Sequence, residues 1–175
     1  GPGAARFAAP DAQTAVLNEA RGLVEVQAGD GTWGAAPNGT PIQAGQRLRT
    51  GQRSSVALDF HDGSRARLGP ASEASVDQLD APAAGPRVVV LTQWLGESEH
   101  AVAASADPAS QYTVNTPSGA GTAKGTAFRV WVAADQLARF AVEEGVVAVT
   151  GVEVTVLVVA GQISWVAPGQ PPEPP

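Results

Sequence analysis

An all-β fold, a multi-stranded sandwich or roll of short antiparallel strands, follows from three features of this 175-residue sequence. Valine outnumbers leucine by 22 to 10, and β-branched side chains are stiff in helices but pack well on a pleated surface. The 20 Gly and 14 Pro divide the chain into short pieces, as expected when turns are frequent. No stretch sustains a 3.6-residue apolar period, whereas alternation of apolar and polar residues recurs between Gly, Pro and Asp turns. Other classes drop out on composition. Without Cys the chain has no disulfide framework and no thiolate metal site. Seventeen acidic against 11 basic residues argue against a nucleic-acid binder, whose affinity comes from neutralising phosphates. No apolar run approaches the ~18 residues that span a bilayer.

Each element has a local signal. Leu23-Val-Glu-Val-Gln27 reads as a strand ending at the Gly29-Asp-Gly31 turn. Ser55-Val-Ala-Leu-Asp-Phe60 sets Val56, Leu58 and Phe60 on one face. His61-Asp62-Gly63 turns the chain into Ser64-Arg-Ala-Arg-Leu68, where Ala66 and Leu68 alternate with Arg65 and Arg67. Asp-Gly between two alternating runs is a hairpin signal. Further strands are expected near 73–78, 88–95, 111–115, 127–133, 139–142, 145–150, 152–159 and 162–167. Ala133–Ala138 is too short to hold a helix alone and reads as a turn between strands. Residues 80–86 and 101–110 read as loops, although part of the second could pair as an edge strand.

Two fragments recur in order. Gly22-Leu-Val-Glu-Val26 precedes Ile42-Gln-Ala-Gly-Gln46, and Gly145-Val-Val-Ala-Val149 precedes Val158-Val-Ala-Gly-Gln162. Such an echo suits two pseudo-symmetric β-meanders or successive layers of a roll, and in a chain rich in Val and Ala it also suits chance. At the ends, Gly1-Pro2-Gly3 resembles a protease-cleavage scar. The organisation expected is therefore a scar and flexible N-terminus over 1–11, one β-domain over 12–168, and the start of a Pro-rich linker over 169–175, too stiff to pair in a sheet.

The search for reaction chemistry finds none. Gly119–Thr126 carries Lys124-Gly125-Thr126 where a phosphate loop needs Gly-Lys-Ser/Thr opening a helix, and its glycines miss the dinucleotide spacing. His61 between Asp59 and Asp62 could ligate a cation, but it reads better as a solvated turn, and His100 sits apart in an expected loop. There is no nucleophile elbow, and Glu143-Glu144 lie at a hairpin tip. No catalytic residue, metal site or cofactor is assigned. The residues singled out are basic and aromatic. Arg47, Arg49, Arg65 and Arg67, with Arg53 between them, are expected on neighbouring strands as one local basic patch suited to carboxylate or phosphate recognition. The alternative is a solvated face neutralised by Asp59 and Asp62. Of the four tryptophans, Trp33 follows a Gly-rich turn and is the one expected to be exposed.

These pieces form an ordered series. Gly22-Leu-Val-Glu-Val…Trp33, Gly45-Gln-Arg-Leu-Arg-Thr-Gly51 and Ser55-x-x-Leu58-x-Phe60-x-Asp62-Gly63-Ser64-x-x-x-Leu68 resemble the front half of a FecR domain. Tyr112-Thr-Val-Asn-Thr-Pro117, Lys124-Gly-Thr-Ala-Phe-Arg-Val130, Val142-Glu-Glu-Gly-Val-Val-Ala-Val149 and Ala160-Gly-Gln162 resemble its back half. The resemblance covers residues 12–168. It implies a non-catalytic, extracytoplasmic all-β domain of a bacterial envelope protein, in the periplasm or at the cell surface. In the family's namesake this is the outer part of a single-span anti-sigma regulator that relays a signal from an outer-membrane iron–siderophore receptor. Here a Pro-rich tail stands where the namesake has a receptor-contacting subdomain. The implied partner is another envelope protein, with nucleic acid excluded and any membrane contact made through a segment outside this chain. The rival expectation is a glycan- or peptidoglycan-binding module with exposed Trp as its platform.

Overall fold

The structure, a computed structural model, describes residues 9–175, so the Gly1-Pro2-Gly3 piece lies outside the described residues. Sixteen strands form one continuous sheet folded into two layers and left open at its edges. The first layer runs β4 (Pro41–Gln43), β1 (Thr14–Arg21), β6 (Ser55–Asp59), β7 (Arg65–Leu68), half of β9 (Val88–Ala101), β12 (Ala127–Val132), β13 (Ala138–Glu144), β16 (Ile163–Val166). The second runs β3 (Trp33–Ala35), β2 (Val24–Gln27), β5 (Arg47–Thr50), β8 (Glu73–Asp80), the other half of β9, β10 (Gln111–Asn115), β11 (Ala120–Ala123), β14 (Val146–Gly151), β15 (Val154–Val159). The expected all-β class is what the chain adopts.

β9 belongs to both layers. Its first half pairs with β8 and β10, and its second half with β7 and β12. The halves meet at Gly96, whose φ of 92° places it in the left-handed region. A Cβ there would lie 2.5 Å from the Ser72 Cα, so the residue must be glycine on two counts. Among the described residues, every strand pairing is antiparallel except β9 with β10. This one departure from the expected antiparallel set arises because β9 crosses into the first layer before the 102–110 loop brings the chain back.

Between the layers lies one core, with Leu17, Ile42, Leu48, Leu58, Tyr112, Phe128 and Phe140 almost fully buried. Alternation places them: Val56, Leu58 and Phe60 point inward as expected, and Phe128 and Val130 flank an outward Arg129. The layers approach closely at Gly121, where a Cβ would come within 2.8 Å of the Phe140 ring. The glycines of the 119–126 segment therefore serve packing, and Gly121 lies within β11. Several strands carried no sequence signal. β1 buries four consecutive residues and so shows no alternation at its start, while β3 and β4 have three residues each. β9 continues to Ala101, beyond the expected end at 95, and carries His100 as a strand residue rather than a loop residue.

The echo has a structural meaning. β1 and β13 lie in the first layer, and each passes through a glycine of positive φ, Gly22 or Gly145, into a hairpin of the second layer. A fourth strand, β4 or β16, then returns to pair with the starting strand. The Ala-Gly-Gln fragments are the same turn twice. Gln46 Oε1 accepts the Gln43 N–H at 2.7 Å, and Gln162 Oε1 accepts the Val159 N–H at 3.0 Å. The first of these turns follows the fourth strand and the second follows the third, so the unit recurs with its corner moved by one strand.

Candidate functional site

Sheet faces turned to solvent carry most of the side-chain chemistry that this architecture leaves available. On the outer face of the second layer, Arg49 pairs with Glu25 at 3.0 Å and Arg47 with Glu73 at 2.9 Å. The same guanidiniums stack on tryptophans: Arg49 lies 4.1 Å from the Trp33 ring centre and Arg47 4.6 Å from that of Trp94. The strip alternates aromatic, cation and carboxylate across five strands, held in place by register. Trp33 is half-buried beneath its arginine, and Trp94 is the more exposed ring.

On the opposite face, the outer surface of the first layer, Arg65 bonds Asp59 at 2.6 Å and Glu19 at 2.9 Å, and Arg67 also bonds Glu19. Burial alone would raise the Asp59 carboxyl, but hydrogen bonds from Arg65 and Asn18 outweigh it and hold the group below its ordinary value. Hydrogen bonds from Arg67 and Arg65 hold Glu19 low in the same way. Further along, Arg129 lies between Glu143 at 2.6 Å and Glu99 at 3.2 Å. A groove of about 160 Å³ follows, lined by Arg67, Glu97, Glu99, Arg129, Trp131 and Arg139. Trp131, Arg139 and Trp165 are direct cross-strand neighbours on β12, β13 and β16. The Arg139 guanidinium sits 5.9 Å and 5.6 Å from the two ring centres. Among the described residues it has no carboxylate partner.

The single basic patch is thus corrected to two clusters. Arg47, Arg49 and Trp33 share the second layer's outer face, and Arg65 and Arg67 occupy that of the first. β5 and β7 are close in sequence, but the chain changes layer between β5 and β6. The Asp59 part of the alternative holds, whereas Asp62 is used elsewhere. Sequence reasoning missed Arg129, Arg139, Trp131 and Trp165 as one surface, because only the pairing of β12, β13 and β16 unites them.

Two polar constellations are buried instead. Arg87 donates to Asp62 at 2.8 Å and to the carbonyls of Ala103 and Lys124 at 2.7 and 3.0 Å. Its side chain is 2% exposed and that of Asp62 7%. Asp62 also accepts the Ser64 N–H, and the Ser64 hydroxyl accepts the Ala103 N–H. One ion pair therefore ties the 61–64 turn to three other segments. The second constellation is a chain across the core. Gln93 Nε2 donates to the carbonyls of Gly96 and Val130, and its Oε1 accepts the Ser98 hydroxyl. Ser98 Oγ is then left to accept His100 Nε2–H at 2.7 Å, so the bare Nδ1 accepts the Tyr112 hydroxyl at 2.6 Å. The imidazole is neutral. Burial lowers its pKa to about 3, and burial followed by the charge of Asp62 pushes the Tyr112 phenol above its ordinary range. Phe128 stacks on the imidazole at 4.9 Å. His61 is exposed, with its neighbours Asp59 and Asp62 engaged by Arg65 and Arg87.

The motif residues are structural in the same sense. Thr50 Oγ1 donates to the Gly69 carbonyl and accepts the Ser72 N–H. Thr116 closes the Pro117 turn through hydrogen bonds with Gly119. Turns, buried clamps and core rings account for the motif series. The chain is therefore an open two-layer β-domain. The family described as FecR protein matches residues 46–148, and the chain belongs to that family. Two crystal structures of a candidate anti-sigma factor from Parabacteroides distasonis ATCC 8503, at 2.50 and 1.65 Å, share the fold. Their TM-scores are 0.59 and 0.57 at 14% and 16% identity, over 73% of this chain. The matches span 59% of the length of those proteins. No curated protein matches the chain.

Proposed function

We propose that this chain is a non-catalytic, extracytoplasmic domain that docks another envelope protein in a signalling assembly of the anti-sigma type. The observation that carries the reading is where the motif residues go. Thr50, Asp62, Ser64 and Thr116 close turns or clamp loops, and Phe128 and Val130 fill the core. What remains for recognition is the chemistry of the outer faces. Membership of the FecR family and the fold shared with an anti-sigma factor support envelope signalling as the setting.

The docking surface we assign is the first layer's face around Arg139, with Arg65 and Arg67 at its far border. A guanidinium framed by Trp131 and Trp165 offers an aromatic and cationic anchor, the residue types that dominate binding energy at interfaces. A photo-crosslinking residue at Trp165 is expected to capture one discrete protein from bacterial envelope preparations. Arg139→Glu should abolish that capture without changing the thermal unfolding midpoint. Capture that survives Arg139→Glu, or that is equally strong from Trp94, removes this face.

The glycan-binding reading rests on Trp33 and Trp94 sharing the opposite face. Their rings are each overlaid by an arginine, Arg49 and Arg47, which leaves less ring face for a sugar. Titrating cell-wall fragments while following Trp fluorescence tests it, and an unchanged signal at millimolar ligand rejects it.

A further inference from the structure

An open sheet of this kind has four lateral edges, and three of them are blunted. β3 and β4 have three residues each, and β4 begins with Pro41, which cannot donate to a partner strand. β16 is covered by the Pro-rich tail. The Glu173 N–H donates to the Trp165 carbonyl at 2.8 Å, and the Ser164 hydroxyl donates to the Glu173 carbonyl at 2.7 Å. The tail expected to be unable to pair thus adds no strand, yet it occupies this edge.

Among the described residues, the fourth edge, β15, has none of these protections. It runs six residues, Val154-Thr-Val-Leu-Val-Val159, without Pro or charge, and its hairpin partner β14 is uncharged as well. Leu157 is 63% exposed, Val159 42% and, beside them on β14, Val146 45%. The hairpin tip adds a second anomaly. Val152 and Glu153 both have positive φ, 49° and 64°, the geometry of a two-residue turn that favours Asn-Gly. A β-branched residue is strained there, yet Val152 projects its side chain into solvent, 57% exposed.

We propose that β15 pairs antiparallel with β15 of a second copy of this chain, across a two-fold axis at Leu157. Charge selects the occupant. The chain carries a net charge of −6, which opposes self-association, but no charged residue lies between Val154 and Gln162. The edge therefore offers no carboxylate to a basic segment, and what matches an uncharged Val/Thr/Leu strand is another such strand. The register is self-complementary. Leu157 faces Leu157 of the second copy, Val156 faces Val158, and Thr155 faces Val159, so every opposed pair is apolar or β-branched and each layer face continues across the axis. The pairing fills the open backbone groups around Leu157, while Gln162 already holds those of Val159 through its side chain and its N–H.

Because the chain has no cysteine, the geometry can be tested covalently. The 175-residue chain is expected to show a reversible monomer–dimer equilibrium by sedimentation velocity at around 100 µM, as suits a small interface. Leu157→Lys should leave it monomeric with an unchanged circular dichroism spectrum. Directly opposed strand residues have Cα atoms ~4.5–5.5 Å apart, within disulfide range. Leu157→Cys should then form a disulfide dimer at least roughly tenfold faster than Ala134→Cys, an exposed control on the β12–β13 turn. An equal mixture of Thr155→Cys and Val159→Cys chains should cross-link faster than either alone. A wild-type monomer at that concentration overturns the proposal. So does a dimer that survives Leu157→Lys, or a Leu157→Cys chain that links no faster than the control.

Discussion

Arg65 and Arg87 each hold an aspartate at hydrogen-bond distance, and the two pairs have opposite consequences. Arg65–Asp59 lies on an outer face, with the side chains 37% and 24% exposed, inside a spread of alternating charges that water screens. Arg87–Asp62 lies at 2% and 7% exposure and ties together the 61–64 turn, the start of β9 and the segments at Ala103 and Lys124. The same chemistry lines a solvated face in one place and locks the architecture in the other. Which role an ion pair plays depends on solvent access, not on the residue types.

The contrast is broken most directly at Arg87. Arg87→Ala leaves Asp62 buried without its partner and is expected to cost ~3–5 kcal/mol in urea unfolding, with little dependence on salt. A loss below about 1 kcal/mol would make the buried pair equivalent to the surface ones.

Acid tests the other buried constellation. The pKa of His100 is lowered from 6.5 to about 3 by burial, so the unfolded chain binds a proton that the native chain refuses. Stability from this group is complete above pH 6.5 and falls as pH drops toward 3, by about 1 kcal/mol per pH unit. The depressed carboxyls of Asp59 and Glu19 act with the same sign but only below their ordinary ranges. Between pH 6.5 and 5 the slope therefore belongs to His100, and His100→Gln should flatten it. A slope that persists in His100→Gln assigns it elsewhere.

Smaller effects belong to the surface. Replacing Val152-Glu153 by Asn-Gly relieves the strained tip and should stabilise the monomer by about 1 kcal/mol. Arg65→Ala should change stability by only ~0.2–1 kcal/mol, an effect that shrinks in high salt. If Arg65→Ala proved as costly as Arg87→Ala, the outer network would be a structural clamp and not a docking pattern.

Much of the fold was legible because inward residues were apolar at period two. Val56, Leu58 and Phe60, then Ala66 and Leu68, show it clearly. Legibility ended where that correlation failed. The second half of β9 points Ser98 and His100 inward, so its alternation is polar on both sides and resembles a loop. β1 buries both sides at its start and loses alternation from the opposite cause. The candidate surface was half legible. Arg65 and Arg67 were placed correctly on one strand face, but Trp131, Arg139 and Trp165 come from three strands that no local pattern connects.

By itself the sequence determined the all-β class, most of the turns and which side chains of the well-patterned strands face inward, because these depend on neighbours a few residues away. Tertiary structure alone decided which strands share a layer. A chain that changes layer between β5 and β6 places Arg47 and Arg49 on the face opposite Arg65 and Arg67, and the pairing of β12, β13 and β16 gathers Trp131, Arg139 and Trp165 into a single surface. Layer membership is set by long-range pairing and by the packing of two sheets around one core, and no local pattern records it.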